Sequence, residues 1–497
     1  MASMSVDQPI TVAEAAPVGA RWVLATLSLC VLLSSLGTSV ANVALPTLAR
    51  ALGAPFQQVQ WVVLAYLLAM TTLIVSVGRL GDLTGRRRLL LIGLALFTGA
   101  SGFCGLAPGL GALVAARAAQ GLGASAMTAL ALAFVGGTVP KDRIGRAMGL
   151  MGTMSAVGTA LGPSLGGALI AAWGWRAIFL VNLPLGGLAL LLAWWALPAD
   201  RGPADRGPAN REPADRMSSS SDRPRFDAAG TVLLGGTLAL YALAMTLGRG
   251  HWGVLNLALL AAAVVGAGLF ALVEARVVSP LVRLGLLRDP VVGPGLAGSG
   301  AVATVMATTF VVGPFYLARA VGLSPAGVGL VMSAGPLMSA LAGVPAGRLV
   351  DRFGAACASV AGLAAMVAGT VLMALAGLGP QGPIWGVAAY VGSIAVLTAG
   401  YALFQAANNT AVMSGVPAGR RGVVSGILNL ARNLGLITGA SALGAVFALA
   451  SGVPDITTAP AGAVAAGMRV TFLVAGGLVA LALLVTAKAR RHSSLEM

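Results

Sequence analysis

Histidine, cysteine and acidic residues are scarce in this sequence, and each scarcity removes a class of function. The two histidines, His251 and His492, offer no His–acid partner for a nucleophilic serine. GPSLG (162–166) matches the G-x-S-x-G pattern, but that chemistry also needs a strand-turn-helix elbow. The three cysteines, Cys30, Cys104 and Cys357, stand apart within apolar runs, too scattered for a disulfide framework or a metal site. No GxxxxGK[ST] stretch is present to cradle a nucleotide phosphate, which argues against ATP-driven work by this chain alone. GPGLAG (293–298) has dinucleotide-type glycine spacing without a βαβ unit around it. No catalytic residue, cofactor or metal ligand is therefore assigned, and the chain is not expected to be an enzyme.

Charge is scarce as well. Only 9% of residues are charged and 58% are hydrophobic, where soluble domains carry about 25% and about 45–50%. With a mean hydropathy of +0.91, a soluble chain could not cover its own surface. The 69 glycines suit helices that pack closely in lipid. The expected class is an all-α polytopic membrane protein whose solvent partner is the bilayer. The net charge of +16 does not point to nucleic acid, because the basic residues recur as short clusters between apolar runs.

Runs of about 20 or more apolar residues fall at 22–45, 59–80, 88–107, 110–136, 144–170, 175–197, 228–248, 252–274, 293–318, 326–347, 355–377, 384–411, 422–449 and 467–488. The first is too long for a signal h-region and reads as a span. Arg50, Arg176, Arg249, Arg319 and Arg469 fall on one side of this arrangement. Every other Lys or Arg outside the spans falls on the opposite side, which makes both termini cytoplasmic. Between the sixth and seventh spans, RGPADRGPANREPADRMSSSSDRPR reads as a disordered linker.

GRLGDLTGR (78–86) recurs as GRLVDRFGA (347–355), each after the second span of a six-span group. The expected divisions are a tail at 1–21, a six-helix bundle at 22–197, a linker at 198–227, two additional helices at 228–274, a second bundle at 275–488 and a tail at 489–497. Duplicated six-helix halves about a membrane-normal axis are a transporter design.

GRLGDLTGRRRLL (78–90) resembles the signature loop of the major facilitator superfamily. The resemblance implies a cytoplasmic gate built on Gly78, Asp82, Gly85, Arg86 and Arg87, with Asp351 in the second copy. GTALGPSLGG (158–167) is similar to that superfamily's antiporter element, carried by Gly158, Gly162, Pro163, Gly166 and Gly167. Its glycines recur every four residues, a face for close helix contact, and Pro163 removes a backbone donor. SVANVALP (39–46), WVVLAYLL (61–68), WGWRAIFLVNLP (173–184) and SGILNLARNLG (425–435) resemble the fourteen-helix drug:proton antiporters. The fold this implies is two six-helix halves plus two extra helices.

One departure from that family concerns the first span. The pattern Leu-Asp-x-Thr typical there reads Leu36, Gly37, Thr38, Ser39 here, and none of the fifteen acidic residues falls mid-span. Arg117 and Arg432 thus lie at membrane depth with no carboxylate beside them, a costly placement unless they face polar groups or a cavity. Arg117 braces the fold through Asn42 and Gln120, or makes a central cavity electropositive, or works with a coupling acid elsewhere, chiefly Asp82. Trp61, Tyr66, Gln405, Asn408, Asn409, Asn429 and Asn433 are further candidates to line it, each with the alternative of serving a helix backbone.

The function expected from the resemblance is secondary export of small amphipathic molecules by alternating access. The proton is the coupling partner expected from the resemblance, the absence of a mid-span carboxylate favours neutral or anionic compounds, and a monomer in a bacterial inner membrane is expected. An importer or uniporter of an organic anion, or a non-transporting receptor on the same fold, is the alternative.

Overall fold

The computed structural model describes residues 18–138, 144–198, 227–247, 253–277, 285, 289, 292–377, 383–414, 421–453 and 456–495. The stretches expected to form the linker and the N-terminal tail fall mostly outside these residues, whereas the expected C-terminal tail at 489–497 is described as far as Leu495, where its backbone continues the last helix. The surroundings of Gly78 and the Asp82 side chain also lie outside the described residues, although the backbone of both residues lies in a helix.

The first bundle comprises α1 (Val18–Leu52), α2 (Trp61–Thr84), α3 (Arg86–Leu106), α4 (Leu110–Thr138), α5 (Ile144–Trp173) and α6 (Asn182–Ala196). Two helices follow, α7 (Ala228–Thr246) and α8 (Val254–Arg276). In the second bundle α9 (Val292–Phe315) ends in a π-helical turn (Tyr316–Ala320). α10 starts with Pro325–Met332 and continues from Ala334 to Gly354, where φ of 79° interrupts the helix; 355–376 is α11. α12 (Pro383–Ser414), α13 (Arg421–Thr438, then a π-helical turn at Gly439–Leu443 and Gly444–Ala450) and α14 (Ala461–Leu495) complete it. Among the described residues thirteen helical stretches can cross a membrane, and the longest, Pro325–Ala376, holds both α10 and α11. The fourteen expected spans are accounted for.

Helices are the required solution here, since they satisfy every main-chain polar group internally. Their breaks have local causes. Gly85, at φ 100°, turns α2 into α3, a conformation that favours glycine. Gly354 holds the equivalent place in the second copy of the repeat, so both motifs end in the same kind of bend. Asp227 caps α7 by accepting the Gly230 N–H at 2.7 Å.

α1 packs on α5, α2 and α3 pack on α4, and α6 leans on α3 and α1. The two bundles meet along two seams, α5 with α10 and α2 with α13. α7 lies across the second seam, touching α2 and the π-helical turn of α13. It is pinned there by Trp61 Nε1 donating to Thr246 Oγ1 at 3.1 Å and by the Ser76–Thr231 hydroxyl pair at 2.7 Å. α8 packs on α7 and turns Val254, Leu255, Val264 and Val265 outward.

Candidate functional site: a cavity between two bundles

α1 carries Ser34, Ser35, Thr38, Ser39 and Asn42 at spacings of one and three residues, which collects them on one face. That face opens onto a cavity of about 220 Å³ between the bundles. The first bundle adds Thr128, Ser155 and Thr159, and the second adds Thr398, Tyr401, Arg432 and Asn433. Met70, Met306 and Phe310 supply apolar wall. Neighbouring hydroxyls are joined: Thr128 Oγ1 donates to Ser34 Oγ at 2.9 Å, and Ser35 and Ser155 share a bond of 2.9 Å. Asn42 gives its Nδ2 to the Thr38 carbonyl at 3.1 Å and keeps its buried Oδ1 unpartnered. Arg432 has its Nε buried and unpartnered. No carboxylate is among the described lining residues. The cavity therefore presents hydroxyls, the amides of Asn42 and Asn433 and one guanidinium to whatever enters it.

Arg117 does not line this cavity. Its side chain is fully buried inside the first bundle. Nε donates to the Val62 carbonyl at 2.8 Å, and Nη1 donates to the Gly37 carbonyl at 3.0 Å and to Gln120 Oε1 at 2.5 Å. Gln120 Nε2 passes the chain on to Ser101 Oγ at 2.7 Å. The guanidinium lies over the Tyr66 ring at 4.3 Å, and Phe179 stands at 5.8 Å. Cation–π contact with a desolvated guanidinium is worth about 2 kcal/mol. Arg117 thus ties α1, α2 and α4 together through carbonyls and rings. Of the two expected partners Gln120 is one, whereas Asn42 bonds within its own helix.

The other sequence candidates separate. Asn42, Arg432 and Asn433 face the cavity. Tyr66 supports Arg117 and donates to the Ser34 carbonyl at 2.9 Å. Trp61 faces α7. Asn408 is buried and braces α12 to α9 through the Gly295 carbonyl and Ser299 Oγ, at 3.1 and 2.9 Å. Gln405 and Asn429 are half-buried, and Asn409 is exposed. The hydroxyls of α1 were not singled out from the sequence. Their one-and-three spacing was the signal that could have found them.

The glycines of α5 divide between two neighbours. A methyl group on Gly158 would lie 2.5 Å from the Leu32 carbonyl oxygen, and one on Gly166 2.8 Å from Val43. One on Gly162 would collide with the Ser39 side chain. All three sit against α1. Gly167 faces the other bundle, where a methyl group would come 2.7 Å from the Pro325 carbonyl and 3.0 Å from Gly329 Cα. A methyl group on Gly329 would in turn collide with the Pro163 carbonyl oxygen and lie 2.9 Å from Gly167 Cα. Near that end Phe56 of the first half meets Phe315 and Phe447 of the second edge-on, with centroids at 4.8 and 5.5 Å. The cavity is closed toward the α1–α2 end. At the opposite end Arg86 donates to the Ala133 carbonyl at 3.4 Å and Arg87 to the Trp194 carbonyl at 2.5 Å, both within the first bundle. Asp351 is exposed.

Two helical bundles meeting over one central cavity, sealed at one end, are the layout of a membrane transporter. The family model for the Major Facilitator Superfamily matches residues 27–440 and 295–495. The chain belongs to that superfamily. It is 33% identical over 422 residues to the multidrug resistance protein Stp of Mycobacterium tuberculosis, covering 82% of this chain and 72% of Stp. It is 30% identical over 476 residues to the tetracenomycin C resistance and export protein of Streptomyces glaucescens, covering 92% and 81%. In fold it is similar to a bacterial homologue of the human lysosomal transporter Spinster in an inward-facing, unoccupied conformation. That match has a TM-score of 0.67 at 16% identity and covers 96% of this chain and 98% of that one.

Proposed function

We propose that the protein exports small amphipathic molecules, neutral or anionic, by rocking its two bundles about the central cavity. The observation that carries this reading is the lining: hydroxyls and apolar side chains around one guanidinium, Arg432, without a carboxylate among the described lining residues. A cation would enter that space against Arg432 with no counter-charge, whereas an anion gains a charge-assisted hydrogen bond. Export as the direction is supported by the resistance and export functions named for the two relatives. The asymmetry of basic residues supports cytoplasmic termini, which makes the Phe56 end the outer one and the described state inward-open. The proposed driver is the proton gradient, acting on acids outside the cavity, and the working unit is a monomer.

The test is flux through the purified protein in sealed vesicles, using anionic, neutral and cationic compounds matched in size and apolar area. Faster flux of the anionic and neutral members, steepened by an imposed pH gradient, is expected. Preference for the cation overturns the substrate reading. Flux indifferent to the gradient overturns proton linkage and favours a uniporter.

A further inference from the structure

A second cavity, of about 320 Å³, lies at the closed end, bounded by the end of α1 and the α9–α10 connection. It shares no lining residue with the central cavity. Arg50 reaches it from α1 and Arg319 from the π-helical turn that ends α9, with the hydroxyls of Ser324 and Thr457 alongside. No carboxylate is among the described lining residues. Arg50 Nε donates to the Pro46 carbonyl at 3.4 Å, and Arg319 Nη2 donates to the Ala459 carbonyl at 3.1 Å. Each guanidinium carries five N–H donors, so most of this capacity is left for another acceptor. Ser324 caps α10, accepting the Gly327 N–H at 3.2 Å, and the positive end of that helix adds to the field in the cavity.

Two guanidinium groups around one cavity repel each other, and a helix N-terminus sharpens the imbalance. We propose that this cavity binds an oxyanion, a carboxylate, phosphate or sulfate group, which latches the two bundles together at the closed end. Arg50 belongs to the first bundle and Arg319 to the second. Only the closed arrangement brings both to one oxyanion, so binding favours that state by its differential affinity. Planar guanidinium forks match two oxygens of such a group, whereas chloride offers charge without that edge. The latch is independent of the direction of transport and of what the central cavity carries.

The test uses the full chain in maltoside micelles, free of phosphate, with Cys357→Ser and spin labels attached through Ala51→Cys and Leu330→Cys. Both label positions are exposed, and they stand on opposite bundles near this cavity. Sodium sulfate at ten times its half-saturating concentration is expected to shift the closed-to-open ratio about tenfold toward the short distance. Sodium chloride at equal ionic strength is expected to leave the ratio unchanged. Arg50→Gln and Arg319→Gln should each abolish the response, and Arg50→Lys, which keeps charge without the fork, should need several-fold more sulfate. The Lys variant guards against a Gln variant that fails to fold. Phosphatidylglycerol added without sulfate distinguishes the source: a matching shift lost in the Arg variants makes a lipid phosphate an occupant of the same site. An equal response to chloride, or a sulfate response that survives the Arg substitutions, overturns the proposal.

Discussion

Arg117 Nη1 donates to the main-chain carbonyl of Gly37 at 3.0 Å. At the position that the resembled Leu-Asp-x-Thr pattern assigns to an acid, this chain presents backbone to the guanidinium. A carbonyl cannot take up a proton at working pH, so the contact fixes geometry without becoming a titrating pair. The buried cation is kept by carbonyls and aromatic faces.

Arg117→Ala should therefore act on stability first. It strands Gln120 Oε1 and removes the second hydrogen bond of two helical carbonyls, and hydrogen bonds to charged groups are worth about 1.5–3 kcal/mol each. A loss of about 3 kcal/mol is expected, measured by thermal unfolding in detergent. The ratio of anion to cation affinity in the surviving folded fraction should stay at the wild-type value. A change in that ratio at normal stability would return Arg117 to the cavity.

Gly37→Asp tests the same contact from the other side. The new Cβ would lie 3.3 Å from the Phe97 ring and 3.4 Å from the Tyr66 hydroxyl, a tight fit that small ring movements can relieve. Flux should become more dependent on the pH gradient than in the parent protein, and Gly37→Asn should not reproduce this. Identical pH responses in all three proteins would remove the carboxylate argument.

Arg432→Gln should spare the fold and change selectivity. Removing a charge-assisted bond worth about 1.5–3 kcal/mol should weaken binding of an anionic compound at least about tenfold and leave a neutral analogue nearly unaffected. Equilibrium titration of the matched pair decides it. Equal losses for both compounds would make Arg432 a shape residue.

For the glycine face of α5, Gly162→Ala should push α5 from α1, because the methyl group collides with Ser39. Overpacking costs about 1–3 kcal/mol, and flux should fall sharply. Gly152→Ala, in the same helix with open space around it, is the matched control and should be silent in both assays. Similar behaviour of the two variants would refute the packing argument.

Closure at the Phe56 end depends on Gly167 and Gly329 meeting backbone to backbone. Gly329→Val should hold that end apart and make residues at the mouth reactive to a membrane-impermeant thiol reagent after single-cysteine placement there. Unchanged protection would mean that the aromatic cluster alone seals it.

Span number and the repeat were legible because long apolar runs and a recurring glycine-bounded motif are local signals. Gly85 and Gly354 could be matched from the sequence, and both turn out to be left-handed bends. The site was less legible. Arg117 and Arg432 look alike in the sequence, each a lone cation in an apolar run, yet one is sealed among carbonyls and the other faces the cavity. Which face of a helix meets a neighbouring helix depends on packing that no local pattern records. Serine and threonine carry a weak signal for a related reason: they can return their hydroxyl to the preceding turn, as Thr38 does to the Ser34 carbonyl at 3.1 Å. Only their shared face on α1 gave them away.

α7 stands against both α2 and α13, along one of the two lines where the bundles meet. A compound dissolved in the membrane has two sideways approaches to the centre of such a molecule, and here one of them is shuttered. If compounds reach the centre from the hydrocarbon, the α5–α10 flank is the one left uncovered by α7, so a photoreactive lipid-soluble compound should mark residues of α5 and α10 in preference to the neighbours of Ser76. The added hairpin converts a molecule with two equivalent flanks into one with a front and a back.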